Sequence, residues 1–165
     1  MFPVKTVVLV VMGVAGAGKT TVGQALADKL GLPFLEGDAF HSPSSIAKLS
    51  RSEPLTDGDR WPWLDAINRE LHNHPEGAVV ACSALTQAYR ARLSRGLDDV
   101  RFVLPDAPPD VLADRLAQRE GHFVGPGLLP SQLRLLDPPP DAIRVDATLP
   151  LATIVDEIVT RLASP

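Results

Sequence analysis

Cysteine is nearly absent from this 165-residue chain. Cys82 is its one thiol, which excludes an internal disulfide and a cysteine metal cluster and fits a reducing, cytoplasmic setting. Four histidines without an H-x-x-x-H spacing leave no zinc-type site either. Sixteen Lys and Arg against twenty Asp and Glu give a net charge of −4. With no basic aromatic stripe, that balance argues against nucleic acid as a partner, while leaving room for a local anion pocket. No hydrophobic run is long enough to span a bilayer, and the N-terminal apolar run lacks a signal-peptide cleavage pattern, so no membrane partner is expected.

What is there suits a globular enzyme. A 45% hydrophobic composition is too apolar for a disordered chain, and this length suits one domain over residues 1–165 that buries roughly 70% of its unfolded surface. Residues 6–12 (TVVLVVM) form a β-branched apolar run closed by glycine, the pattern of a strand buried on both faces of a parallel sheet. Residues 20–30 follow with Val22, Leu26 and Leu30 at helical spacing and Gly31 as the C-cap. Further short apolar runs at 33–35, 78–82, 100–104 and 142–145 read as strands. They are separated by helical patterns at 61–71, 85–93, 109–119 and 150–162. Strands alternating with helices predict right-handed crossovers and a three-layer α/β fold, with a five-stranded, mainly parallel sheet covered on both faces.

Two stretches interrupt this alternation. One is an insertion at about 38–60 with a short helix near 44–49; the other is the segment GHFVGPGLL at 121–129, within a predicted lid at about 120–130. Insertions at the strand ends of an open sheet are where substrate loops and lids sit.

The stretch GVAGAGKT matches G-x-x-x-x-G-K-[ST] through Gly13, Gly18, Lys19 and Thr20, between a buried strand and a helix start. Gly13, Gly16 and Gly18 let backbone N–H groups turn inward around phosphate oxygens, with Val14, Ala15 and Ala17 completing the loop. The helix start at Lys19, Thr20 and Thr21 offers unpaired amides and a positive dipole end. Lys19 is expected on the β- and γ-oxygens of ATP and Thr20 on Mg²⁺. Arg115 and Arg119, four residues apart before the glycine-rich segment, fit a lid that neutralises charge during phosphoryl transfer, Arg115 on the nucleotide and Arg119 as a catalytic group. Alternatively, they solvate a surface helix beside Asp114 and Glu120. No guanine-recognition signature and no strand ending in paired acids is found, which favours a small-molecule kinase over a GTPase or motor.

GVAGAGKT, EGDAFHSP at 36–43, PLTDGDRWPWL at 54–64, CSAL at 82–85 and REGHF at 119–123 occur in the order found in the gluconate kinases of the P-loop type. The chain resembles that family over nearly its whole length. The resemblance implies a nucleoside-monophosphate-kinase-like fold akin to shikimate and adenylate kinases, ATP and Mg²⁺ as co-reactants, and phosphorylation of gluconate at its terminal hydroxyl to 6-phosphogluconate. A homodimer is the assembly it allows.

Asp38, just past a strand end on the P-loop edge of the sheet, is the expected base toward the acceptor hydroxyl, with an Asx-type turn as the alternative. Lys48 and Arg60 each could pair with the acceptor carboxylate, Arg60 with the better geometry; an ion pair of Arg60 with Asp57 or Asp59 stays open. His41 either bonds the sugar chain or closes its loop. Ser83 is expected to line the acceptor pocket, and Gln132 and His122 to touch substrate. Where the family usually has a basic residue after CSAL, this chain has Thr86 and Gln87, so that contact is lost or passes to Arg90. Trp61 and Trp63 read as helix packing and Cys82 as inert. Two alternatives remain: a kinase for another hydroxy acid such as shikimate, and a non-catalytic ATP-binding regulator.

Overall fold

A computed structural model describes residues 7–119 and 126–164. The first strand, β1 (Val7–Val11), is central because its alternate residues serve two cores. Val8, Val10 and Met12 face one side of the sheet with Leu64, Ile67, Leu71 and Leu93, whereas Leu9 and Val11 face the other with Val22, Leu26, Ile154 and Ile158. A strand buried on both faces has no use for polar residues, which is why the run is uniformly apolar.

From β1 the chain passes through α1 (Lys19–Leu30) to β2 (Phe34–Glu36) and a 3₁₀ turn (Gly37–Phe40). It then forms α2 (Pro43–Ser50), α3 (Asp57–His72), β3 (Gly77–Ala81), α4 (Gln87–Leu93) and β4 (Val100–Asp106). After α5 (Pro109–Ala117) come a 3₁₀ turn at Pro126–Leu128, α6 (Leu129–Leu135), β5 (Ile143–Asp146) and α7 (Leu151–Leu162). Among the described residues the sheet has five strands in the order β2-β3-β1-β4-β5, every adjacent pair parallel. Helices α1 and α7 cover one face and α3 with α4 the other.

Several boundaries differ from those expected from apolar spacing, and side-chain caps explain the largest shift. The helix expected at 61–71 begins at Asp57, because Thr56 and Asp59 form a reciprocal capping box. The helix expected at 85–93 begins at Gln87, with Thr86 Oγ1 accepting the Tyr89 amide at 3.2 Å. The helix expected to run to Arg119 ends at Ala117; the Arg119 amide still bonds the Leu116 carbonyl at 3.2 Å, a tightened final turn. Helix α6 has no counterpart in the sequence reading.

Parallel pairing brings all strand C-termini to one edge. The P-loop leaves β1 there, the Asp38 turn leaves β2, and the Cys82–Leu85 loop leaves β3. Ligands of open α/β sheets bind at that edge.

Candidate active site

The cradle between β1 and α1 is shaped by close packing. Gly16 has φ 87°, and a Cβ there would lie 2.8 Å from the Leu112 carbonyl of α5, so only glycine fits. Gly18 forms the left-handed N-cap of α1 and no side chain caps the helix, which leaves first-turn amides for an anion. Residues 15–21 line a cavity of about 380 Å³. Gly13 and Val14 support it instead of lining it: the Gly13 amide bonds the Ser83 carbonyl at 3.1 Å, and the Val14 carbonyl accepts Lys19 Nζ at 3.0 Å.

Lys19 is partly exposed and lines the cavity. Burial pushes its pKa below the ordinary value, the Asp38 charge opposes that shift, and Arg119 adds to it. Asp38 and Lys19 therefore sense one another and line the same cavity.

Glu36, the last residue of β2, joins these parts. Thr20 Oγ1 donates to Glu36 Oε2 at 2.5 Å, and Glu36 Oε1 accepts the Asp38 amide at 3.3 Å. No role was expected for Glu36. Its place as the final strand residue, two before Asp38, is the signal that puts a carboxylate on the P-loop edge. Hydroxyl and carboxylate are hard oxygen donors, and among the described residues no cluster of three or more His, Cys, Asp or Glu could cage an ion. So sparse a donor set suits Mg²⁺, which keeps waters and takes much of its shell from phosphate.

On the acceptor side, Arg60 lines the cavity with its side chain 12% exposed. Arg60 Nη1 donates to the Tyr89 hydroxyl at 2.7 Å, and that hydroxyl donates to Asp57 Oδ1 at 2.5 Å. The alternative ion pair with Asp57 is long, at 3.9 Å, so Tyr89 is the main orienting partner. Burial and then the Asp57 hydrogen bond push the Tyr89 phenol up, keeping it a neutral donor. His41 Nε2 lies 3.5 Å from Asp38 Oδ1 and, like Ser83 and Gln132, lines the cavity. Gln132 Oε1 accepts the Ala15 amide at 2.7 Å, tying α6 to the P-loop.

Two residues expected on the acceptor are engaged elsewhere. Lys48 Nζ sits 2.8 Å from Asp59 Oδ2, bridging α2 and α3 outside the cavity lining. Arg90 is 6% exposed and donates to the Ala84 and Asp137 carbonyls at 2.9 and 2.5 Å. Ala84 has φ 43°, a left-handed conformation unusual for a residue with a Cβ, and Arg90 holds that strained loop in place. Arg90 therefore braces the Ser83 loop and does not replace the basic residue missing at Thr86.

Arg115 Nη2 donates to the Ala147 carbonyl at 2.6 Å, and both Arg115 and Arg119 line the cavity. Leu149 and Leu151, the exposed large hydrophobics among the described residues, line its outer end beside Ala147. That apolar wall was not anticipated; its signal is the leucine pair flanking Pro150. His122 and part of the expected lid lie outside the described residues.

A parallel α/β sheet carrying a phosphate cradle, with a carboxylate and an arginine across one cavity, defines a P-loop small-molecule kinase. Comparison with known proteins agrees and goes further. The family described as "AAA domain" matches residues 8–138. Over 158 residues the chain is 48% identical to a gluconokinase from Gluconobacter oxydans, covering 92% of this chain and 88% of that one. It is 34% identical to the thermosensitive gluconokinase of Escherichia coli, covering 90% and 83%. The crystal structure of a gluconokinase from Sinorhizobium meliloti superposes with a TM-score of 0.83 at 45% identity, covering 94% of this chain and 93% of that one. A deoxyadenosine kinase from M. mycoides, 15% identical with a TM-score of 0.66 and covering 94% and 99%, shares the fold alone. The chain belongs to the gluconokinase family.

Proposed function

We infer that the protein transfers the γ-phosphoryl group of ATP to the terminal hydroxyl of gluconate, giving 6-phosphogluconate and ADP. The observation that carries this reading is the shared cavity of Lys19, which opens α1 after β1, and Asp38, in the turn after β2, the two strands that flank β3. The loop amides and Lys19 hold the β- and γ-phosphates. The leucine wall at 149 and 151 offers the base an apolar face beside Arg115.

Arg60 pairs with the acceptor carboxylate, and the acceptor chain runs from there toward Asp38. Asp38 accepts the hydroxyl proton as the hydroxyl oxygen bonds to the γ-phosphorus and the bond to the β,γ-bridging oxygen breaks, releasing ADP. Arg119 neutralises charge on the equatorial oxygens of a loose transition state. Thr20 and Glu36 would hold Mg²⁺, which when bound supplies charge neutralisation across the β- and γ-phosphates.

A coupled assay of ADP release over a panel of sugar acids tests the reading. Turnover with gluconate is expected, and Asp38→Asn should lower kcat by about 10²- to 10⁴-fold while ATP still binds. Activity on shikimate with none on gluconate would overturn the acceptor assignment.

A further inference from the structure

Trp63 stands one helical turn past Arg60 on α3, packed in the core at one edge of the same cavity, which suggests simple packing. Its contacts are more directed than that. Nε1 donates to the Gly37 carbonyl at 2.8 Å, and the indole stacks on His41 with ring centroids 4.3 Å apart and planes 18° from parallel. Gly37 immediately precedes Asp38, and His41 is the C-cap of the turn that carries it. One side chain thus grips both ends of the turn bearing the proposed base.

The opposite side of that turn is equally constrained. A Cβ on Gly37 would run into the Ala81 carbonyl at the end of β3, so the turn packs directly on the sheet. A single turn of 3₁₀ helix has few hydrogen bonds of its own and poor geometry in those it has. Its position is therefore set by what holds it, and the holders include the Glu36 carboxylate, the β3 backbone and Trp63. Trp63 is 5% exposed, so its N–H requires a protein partner, and the partner is the carbonyl beside Asp38.

We propose that Trp63 is a positioning residue for phosphoryl transfer, setting the placement of Asp38 relative to Arg60. This rests on the reading of Asp38 as base and Arg60 as carboxylate clamp. Since α3 carries both Arg60 and Trp63, one helix sets the spacing between the group that holds one end of the acceptor and the group that activates the other. The nucleotide cradle hangs on β1 and α1, so the effect of Trp63 belongs to kcat and not to ATP binding.

Trp63→Phe keeps a ring for stacking and deletes the N–H. In the otherwise natural protein, kcat with gluconate is expected to fall about 10- to 100-fold, with KM for ATP within about twofold of its starting value. The same replacement in an Asp38→Asn background should change kcat by less than about threefold, because the group it positions no longer takes the proton. Equal losses in both backgrounds, or an unchanged kcat in a folded Trp63→Phe protein, overturn the inference. Should Trp63→Phe fail to fold, His41→Leu loosens the same grip from the turn side and is read through the same pair of backgrounds, with the same criteria. An Asp38→Asn protein of undiminished kcat would sink the base assignment itself and this inference with it; an impaired one alongside equal losses removes only the role of Trp63.

Discussion

Lys19 holds a charge that its surroundings disfavour until a phosphate arrives. Its ammonium has the Val14 carbonyl and the field of Asp38 on one side of the balance, and burial together with Arg119 on the other, with burial the largest. A base whose folded pKa is depressed binds fewer protons than it does unfolded, so in that range stability rises with pH and the charge opposes folding below it. Lys19→Met, similar in volume and uncharged, should leave Tm equal or higher while lowering kcat by about 10²- to 10³-fold. Thermal melts paired with the coupled assay check both halves; a lower Tm together with retained turnover contradicts the account. Residue placements were legible from the sequence where a motif ties a residue type to a geometry, as for Lys19 and Thr20 at the cavity-lining start of α1. They were not legible for Lys48 and Arg90, because spacing says that a cation is near the acceptor loop and not whether it faces the cavity, a neighbouring helix or a strained carbonyl.

At the scale of elements, α3 is the part on which the acceptor side depends, and its N-terminus is secured electrostatically. Asp59 closes the capping box with Thr56 and also takes Lys48 from α2. The Lys48 hydrogen bond, followed by that of the Thr56 amide, holds the Asp59 carboxyl at about 2, below its usual 3.8. A carboxyl depressed in the folded state contributes stability above its unfolded pKa and loses it as pH falls toward the folded one. Urea midpoints should therefore drop between about pH 5 and about pH 2 more steeply in the natural protein than in Lys48→Met. Identical slopes would show that the pair adds nothing to folding. The same helix shows why element boundaries were harder to read than element types. Apolar periodicity marks the buried face from Trp63 to Leu71, but the start is decided by a polar box that carries no periodicity. Strand β1 was readable nearly to the residue because two-sided burial leaves its composition no freedom. Helix α6 went unread because it is only seven residues long and opens beside a glycine- and proline-rich stretch, which hides the helical spacing of Leu129 and Leu133.

For the whole molecule, the single thiol offers a measure of cooperativity that the sheet order makes specific. Cys82 follows β3, the strand between β1 and β2, so it sits beneath both the P-loop and the Asp38 turn. It is 2% exposed, and burial, followed at a distance by the negative charge of Asp38 and Glu36, pushes its thiol up to about 12. A thiol that is both inaccessible and protonated at neutral pH does not react with alkylating reagents. Alkylation then requires opening of the sheet centre, the structure that also holds the nucleotide. If that opening is the global one, a ligand that binds only the folded state slows it by the factor by which it enriches that state. A non-hydrolysable ATP analogue at about 100 times its Kd should therefore slow modification of Cys82 by about 100-fold. Mass spectrometry of the alkylated chain, with one site to count, gives the rate directly. Rapid modification that ignores the nucleotide would mean that β3 opens on its own, and that the two halves of the active site are held together less firmly than their common sheet implies.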